Sequence, residues 1–369
     1  MKVLRNISWI FVANLIASLT KWLILVIIAR ILTPEDVGAY SLALAVSAPI
    51  TLFANMKLRS LYITNQKYYF GDYLYSRNLL SVLAFIVLFT ITLVVYPNQF
   101  YIILLVGLIK ICDLQSDIFY SVPHKNENMK LIGKLLIGKH LNSLVFFLIT
   151  LYYTTDLTTA LLIQFAFQIL YLLFVEKRLI TNKYSLSNHG FNKHSIKNII
   201  LTGIPLGFVQ MLFSLNSSYP RYLLEYFESA ETLGYFSAIA YIVTVGNLLM
   251  NAVSQNFLPN LARLISNKKY SSFERTLFIN LTITSIILGG SIILFSFIFG
   301  GTFLEIFYGV EYADYTDILI LMSIAVAINF ISWNFDTALL AMRYISIQPK
   351  ISVIVLIVNL ILGYLLINQ

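Results

Sequence analysis

EKRLITNKYSLSNHGFNKHSIK, residues 176–197, is a long polar interruption in a chain of 369 residues that is otherwise almost continuously apolar. The sequences on its two sides begin alike. Residues 5–7, Arg-Asn-Ile, precede an apolar run and then Glu-Asp-Val-Gly-Ala-Tyr-Ser at 35–41. Residues 197–199, Lys-Asn-Ile, precede an apolar run and then Glu-Thr-Leu-Gly-Tyr-Phe-Ser at 231–237. The match predicts two copies of one unit, joined by the polar segment.

The duplication predicts three regions: an N-terminal bundle at 1–176, a cytoplasmic linker at 177–197 and a C-terminal bundle at 198–369. A second correspondence supports the duplication, because Asp117 in the first half has a counterpart in Asp336 in the second half. We expect the linker to be mobile, with some interfacial helix and no catalytic role.

Composition places this chain in a membrane. Apolar residues make up 59% and charged residues only 11% of it, whereas a soluble protein has about 25% charged residues. The ten-residue alternating strands of a membrane barrel are absent, so the predicted fold class is all-α and polytopic. A single cysteine excludes an internal disulfide and a thiolate metal cluster.

Apolar runs of about 20 residues predict eleven spans. Six precede the linker, at residues 8–29, 38–56, 78–96, 100–121, 135–153 and 157–175. Five follow it, at residues 198–219, 233–257, 276–299, 316–339 and 351–368. Because the first half has an even number of spans, the two copies are predicted to be parallel repeats. Duplication of six spans would give twelve, so we expect the twelfth to be missing.

The basic residues predict the orientation. Of the 25 Lys and Arg residues, 21 fall on one side, in loops or at the entries of spans, only Arg30 and Arg221 fall on the other side, and Lys21 and Lys110 lie deep inside spans. Short cytoplasmic loops are rich in Lys and Arg, so the N-terminus is predicted to be cytoplasmic. The net charge of +8 is therefore a topology signal and does not indicate a nucleic-acid partner.

Polar residues inside spans are the candidates for function, because a charge in a bilayer costs about 3 kcal/mol unless it faces a cavity or a partner. Lys21 and Asn14 belong to a polar stripe on the first span. Lys110, Asp113 and Asp117 share one face of the fourth span. They are candidates for substrate binding or ion coupling, as is Asp336. The alternatives are snorkelling for Lys21 and a structural Lys110–Asp113 pair.

Further candidates lie near span ends and at a proline. Lys139, Arg221 and Asn216 are predicted to meet an anionic substrate, because ammonium and guanidinium groups match phosphate oxygens. Gly203, Pro205 and Gly207 predict a hinge in the seventh span, since proline removes a helical hydrogen bond. No zinc spacing, phosphate-binding glycine loop or catalytic serine motif occurs. We therefore expect no catalytic residues, no metal and no cofactor, and a protein that is not an enzyme.

Five stretches resemble the polysaccharide transporter (Wzx-type flippase) branch of the multidrug/oligosaccharidyl-lipid/polysaccharide (MOP) exporter superfamily. They are RILTPEDVGAYS at 30–41, KICDLQSDIFY at 110–120, GIPLG at 203–207, YPRY at 219–222 and LGYFSA at 233–238. The resemblance covers the chain from about residue 5 onward and implies two helical bundles around a V-shaped cavity. It also implies that Lys21, Lys110, Lys139 and Arg221 are the cavity cations.

The resemblance implies a bacterial cytoplasmic-membrane flippase that moves undecaprenyl-diphosphate-linked oligosaccharide outward by alternating access. Membrane lipids would surround it, and a polymerase and glycosyltransferases would act in the same pathway. Three alternatives stay open at this point: a drug or cation antiporter of the same superfamily, an oligosaccharide-lipid polymerase, and an inactive remnant without its twelfth span.

Overall fold

The structure, a computed structural model, describes residues 2–64, 67–184, 186, 192–344 and 347–367. Within these ranges the regular structure is entirely helical. The helices are α1 Lys2–Ile31, α2 Pro34–Asn55, α3 Leu58–Thr64, α4 Phe70–Val95, α5 Phe100–Lys125, α6 Met129–Thr154, α7 Leu157–Leu170, α8 Arg178–Tyr184, α9 Lys193–Phe227, α10 Ala230–Ser266, α11 Tyr270–Arg275, α12 Thr282–Phe307, α13 Val310–Ala313, α14 Thr316–Ala341 and α15 Gln348–Ile367. Two π-helical segments, Tyr171–Lys177 and Thr276–Leu281, connect α7 to α8 and α11 to α12.

Ten of the described helical stretches are long and apolar enough to cross a membrane. The remaining predicted span, the fourth, coincides with α5, which has 26 residues and carries Lys110, Asp113 and Asp117. Each of the eleven predicted spans therefore coincides with a helix. The protein is an all-α, multi-pass membrane protein, as composition predicts.

The chain divides into two compact units. The first comprises Met1–Gly234 with Val358–Gln369, and the second comprises Tyr235–Ile357. The core of the first unit contains Met56, Leu58 and Ile118. That of the second contains Met250 from α10 and Phe330 from α14. The predicted linker is helical at its described flanks, in α8 and from Lys193 onward, and its residues 185 and 187–191 lie outside the described residues.

The first of the two repeated motifs starts helix α2 with a capping box. The hydroxyl of Thr33 accepts a hydrogen bond from the backbone N–H of Asp36 at 3.4 Å. The Asp36 carboxylate accepts one in return from the backbone N–H of Thr33 at 3.2 Å. These bonds satisfy two N–H groups that have no partner within the helix. Pro34 occupies the first turn, where the N–H that proline lacks would form no helical hydrogen bond.

The glycines of the two motifs pack against each other's helices inside the first unit. A Cβ on Gly38 would lie 1.9 Å from the carbonyl oxygen of Ala230, and a Cβ on Gly234 would lie 1.9 Å from that of Pro34. The contact is reciprocal, because each glycine packs against the backbone of the other glycine's helix. Only glycine allows the two backbones to approach this closely.

Arg77 is one basic residue that the sequence misplaces. It counts there as a loop charge, yet it lies within α4 and its side chain is fully buried. Its guanidinium donates hydrogen bonds to the carbonyl oxygens of Ala54, at 2.7 Å, and Asn55, at 3.0 Å. These carbonyls end α2 and have no partner within that helix, so Arg77 caps α2.

Candidate substrate-binding site

A buried ion pair joins α5 and α6 in the first unit. The ammonium of Lys139 lies 2.5 Å from the Asp113 carboxylate and donates a second hydrogen bond to the Ser116 hydroxyl at 2.9 Å. The Lys139 side chain is 2% exposed, whereas that of Asp113 is 35% exposed. Lys139 is thus the buried partner of the pair, and the Asp113 carboxylate is the more exposed one. Asp113 pairs with the next helix and not with Lys110, contrary to the structural alternative that the sequence left open.

Two further cations act electrostatically on Asp113, and a third acts on one of these two. Lys21 on α1 interacts electrostatically with Asp113 and with Lys110 on α5, and the charge of Arg221 on α9 also acts on Lys110. Lys21 is exposed, while Lys110 and Arg221 are half-buried. The Lys110 ammonium donates to the carbonyl oxygen of Leu44 on α2 at 3.4 Å. Because the charge of Asp113 is already balanced by Lys139, this cluster has an excess of basic side chains, of which Lys21 is exposed.

The four predicted cavity cations therefore lie together in one unit, on α1, α5, α6 and α9. Asn14 is exposed on α1, seven residues before Lys21 and on the same helix face. Asn216 on α9 accepts a hydrogen bond from the side chain of Asn359 on α15 at 2.5 Å. Its amide thus already has a protein partner.

The other predicted acids lie apart from this cluster. Asp117 forms an ion pair with Arg59 of α3 at 3.2 Å. Arg59 also donates to Nδ1 of His124 at 3.1 Å. Asp336 is exposed on α14 in the second unit. Ion coupling by these acids stays a prediction, and the geometry gives Asp117 a structural partner.

The predicted hinge glycines face α2. A Cβ on Gly203 would lie 2.8 Å from the Met56 Cβ, and one on Gly207 would lie 2.4 Å from the Phe53 carbonyl oxygen. Helix α9 continues from Lys193 to Phe227 with Pro205 inside it. Both glycines thus allow α9 to pack closely on α2, and bending at Pro205 stays a prediction.

Glu176 is a buried acid that the sequence assigns to the edge of the linker. It lies in the π-helical segment and is fully buried. The Tyr120 hydroxyl donates a hydrogen bond to its Oε1, and its Oε2 has no partner among the described residues. Its charge acts on Lys139. Tyr120 was the sequence signal that could have pointed to this buried acid. It follows Asp113 by seven residues and so lies on the same face of α5.

Tyr222 and Glu225 continue the site at the end of α9. The Tyr222 hydroxyl donates to the carbonyl oxygen of Ala45 at 2.5 Å, and Glu225 accepts from Gln99 at 3.0 Å. Across the described residues, no group of three or more His, Cys, Asp or Glu side chains is arranged to hold a metal ion.

Residues 3–265 match the family model described as "Polysaccharide biosynthesis protein". The chain is also 33% identical over 368 residues to the capsular polysaccharide biosynthesis protein CapF of Staphylococcus aureus. That match covers 100% of this chain and 93% of the relative. Both matches include the helices that carry Lys21, Lys110, Lys139 and Arg221.

Solved structures of transporters share the fold. A mutant of the Vibrio cholerae MATE transporter VcmN matches with a TM-score of 0.61 and 13% identity, over 95% of this chain and 86% of that one. A MOP-superfamily transporter from Pyrococcus furiosus matches with a TM-score of 0.50 and 11% identity, over 100% of this chain and 95% of that one. At these identities the likeness concerns the fold alone. The chain belongs to the polysaccharide biosynthesis protein family and has the fold of the MOP-superfamily transporters.

Proposed function

We propose that this protein is a flippase for undecaprenyl-diphosphate-linked oligosaccharide, acting in the synthesis of capsule or another surface polysaccharide. The observation that carries the proposal is the group of basic side chains Lys21, Lys110 and Arg221 in the first unit, in addition to the Lys139–Asp113 pair. A diphosphate has several oxygens that accept charge-assisted hydrogen bonds, which are about twice as strong as neutral ones. Lys21, Lys110 and Arg221 supply such donors from three different helices.

The transport problem itself calls for a polar path. Each sugar hydroxyl that enters hydrocarbon without a partner costs a few kcal/mol. A cavity with polar walls that opens to each side of the membrane in turn replaces water for these groups. The sign of the charge distinguishes this function from export of organic cations, because an organic cation would be repelled by this group of basic side chains.

Lys139 and Asp113 have a separate role in this proposal. A cation that is 2% exposed does not meet the substrate, so Lys139 positions Asp113 beside Lys21 and Lys110. Asp113 then limits the positive charge of the site, which allows the product to leave after transport. Asp113, Asp117 and Asp336 remain the candidates for coupling to an ion gradient.

The proposal includes the membrane, the topology and the pathway. The protein lies in the bacterial cytoplasmic membrane with its N-terminus and the linker at 177–197 in the cytoplasm, as the distribution of basic residues supports. The two repeats, 1–176 and 198–369, alternate access around the substrate. Glycosyltransferases supply the substrate and a polymerase uses it on the other side.

Complementation tests the proposal. In a capsule-forming strain that lacks its flippase gene, the unaltered protein should restore surface polysaccharide. Lys21→Ala or Arg221→Ala should lower it at least about tenfold, since hydrogen bonds to charged groups contribute about 1.5–3 kcal/mol each. Lipid-linked oligosaccharide should accumulate in the same cells. Lys134→Ala, an exposed lysine of α6 outside the cluster, is the matched control. Full export by both cluster variants at equal protein level would refute the cationic site.

A further inference from the structure

A line of amide side chains occupies one face of α10 in the second unit. Asn247, Asn251 and Gln255 follow each other at intervals of four residues and so lie within one helix face. They extend over about 12 Å at 1.5 Å per residue. Asn251 and Gln255 are exposed, and the Gln255 amide donates to the Asn251 oxygen at 3.1 Å.

A fourth amide comes from the neighbouring helix α14. The side chain of Asn329 is exposed and donates to the Asn247 oxygen at 3.2 Å. Amide groups left in contact with hydrocarbon cost free energy, and both helices are otherwise apolar enough to span a membrane. A face with four amides therefore belongs to a water-filled path and not to the lipid boundary.

The repeat relates this amide face to the cationic site. When Asp117 is aligned with Asp336, Lys110 is aligned with Asn329. Each side chain reaches the helix that begins with the repeated motif: Lys110 contacts Leu44 of α2, and Asn329 contacts Asn247 of α10. The same structural position thus carries an ammonium group in the first unit and a neutral amide in the second.

We propose that Asn247, Asn251, Gln255 and Asn329 form a glycan-binding face that contacts the uncharged sugars of the transported substrate. Each amide offers a carbonyl acceptor and two N–H donors, which suits the paired donor and acceptor character of neighbouring sugar hydroxyls. Amides carry no net charge, so this face favours neither an anionic nor a cationic ligand by its charge, and its paired donors and acceptors match the neutral sugars of the molecule. This inference rests on the proposed function and assigns sugar binding to the second unit.

Direct binding measurements on the purified full chain in detergent test this face. The variant is Asn251→Leu/Gln255→Leu. Replacing both residues removes a hydrogen-bonded pair together, so neither amide loses its partner to the substitution. The matched control is Asn280→Leu, an exposed amide between α11 and α12. The probes are undecaprenyl diphosphate carrying an N-acetylhexosamine disaccharide and undecaprenyl diphosphate without sugar.

The double variant should bind the disaccharide-bearing lipid about tenfold more weakly, as the loss of one or two neutral hydrogen bonds predicts. Its affinity for the sugar-free lipid should equal that of the control. Unchanged affinity for the disaccharide-bearing lipid, or an equal loss for both lipids, would overturn the inference. The variant Lys21→Ala separates this inference from the proposed function, because it should bind both lipids more weakly. Unchanged affinity of Lys21→Ala for both lipids would refute the cationic site. The result for the amide face could still be interpreted in that case.

Discussion

Replacing Gly38 by alanine tests the contact between the two repeated motifs. The new Cβ would lie 1.9 Å from the carbonyl oxygen of Ala230, whereas real Cβ contacts below 3.0 Å essentially do not occur. The two helices must therefore separate by about 1.1 Å or more. Overpacking costs about 1–3 kcal/mol when side chains adjust. Here the obstacle is backbone, so we expect about 3 kcal/mol, which lowers the melting temperature by roughly 5 °C.

The single cysteine provides the assay. Cys112 is buried, so a thiol-reactive fluorogenic dye reports its exposure when the purified protein unfolds in detergent. Gly234→Ala should behave like Gly38→Ala, because its Cβ would lie 1.9 Å from the Pro34 carbonyl oxygen. Gly290→Ala is the matched control, as its Cβ would have no heavy atom within 4 Å. If Gly38→Ala melts within a degree of the control, the close approach of the motifs is refuted.

Two further predictions concern charges inside and outside the bundle. Asp113→Leu should destabilise the protein by about 3–5 kcal/mol because Lys139 is left buried without its counterion, and Asp113→Leu/Lys139→Met should recover most of this loss. Size-exclusion chromatography of heated samples measures both, and a double variant as unstable as the single one would contradict the pairing. Asp156 starts α7 and has a lowered pKa, chiefly because the Thr159 hydroxyl donates to it, with burial opposing. Asp156→Ala should cost about 1 kcal/mol at neutral pH. The stability that goes with a lowered pKa is fully present above the unfolded value of about 3.9, so the difference should begin to shrink as the pH falls below about 4 and should be lost only below the lowered pKa of the folded state; a difference that stays constant through this acid range would contradict the cap.

The spans were predictable because their signal is local. Each needs only an apolar run of sufficient length, and the capping box at Thr33 and Asp36 marks the start of α2 within four residues. The cations were also found from sequence, since a lysine within an apolar helix requires an explanation wherever its partner lies. Lys21 and Lys110 are such cases, and the structure places them in one cluster.

The partners were not predictable because they depend on how helices rotate against each other. The sequence offers Lys110 as a neighbour for Asp113 on the same helix face, but packing of α5 on α6 brings in Lys139 instead. Glu176 was missed for a related reason. Glu176 lies at the end of an apolar run, and such a change to polar residues normally marks the membrane surface. In the structure, the π-helical turn directs the Glu176 side chain inward to Tyr120.

Under the proposed duplication, the two aligned positions differ in their chemistry. Duplicated units begin with equivalent positions, and a position that lines a polar path can change its side chain as long as it stays polar. Lys110 and its counterpart Asn329 both reach the preceding repeated helix, yet one carries charge and the other does not. A lipid-linked sugar has the same division, with a charged diphosphate attached to a neutral glycan. A repeat protein that binds such a molecule gains by making one unit cationic and the other amide-rich, because charge in both would hold the diphosphate too strongly for release.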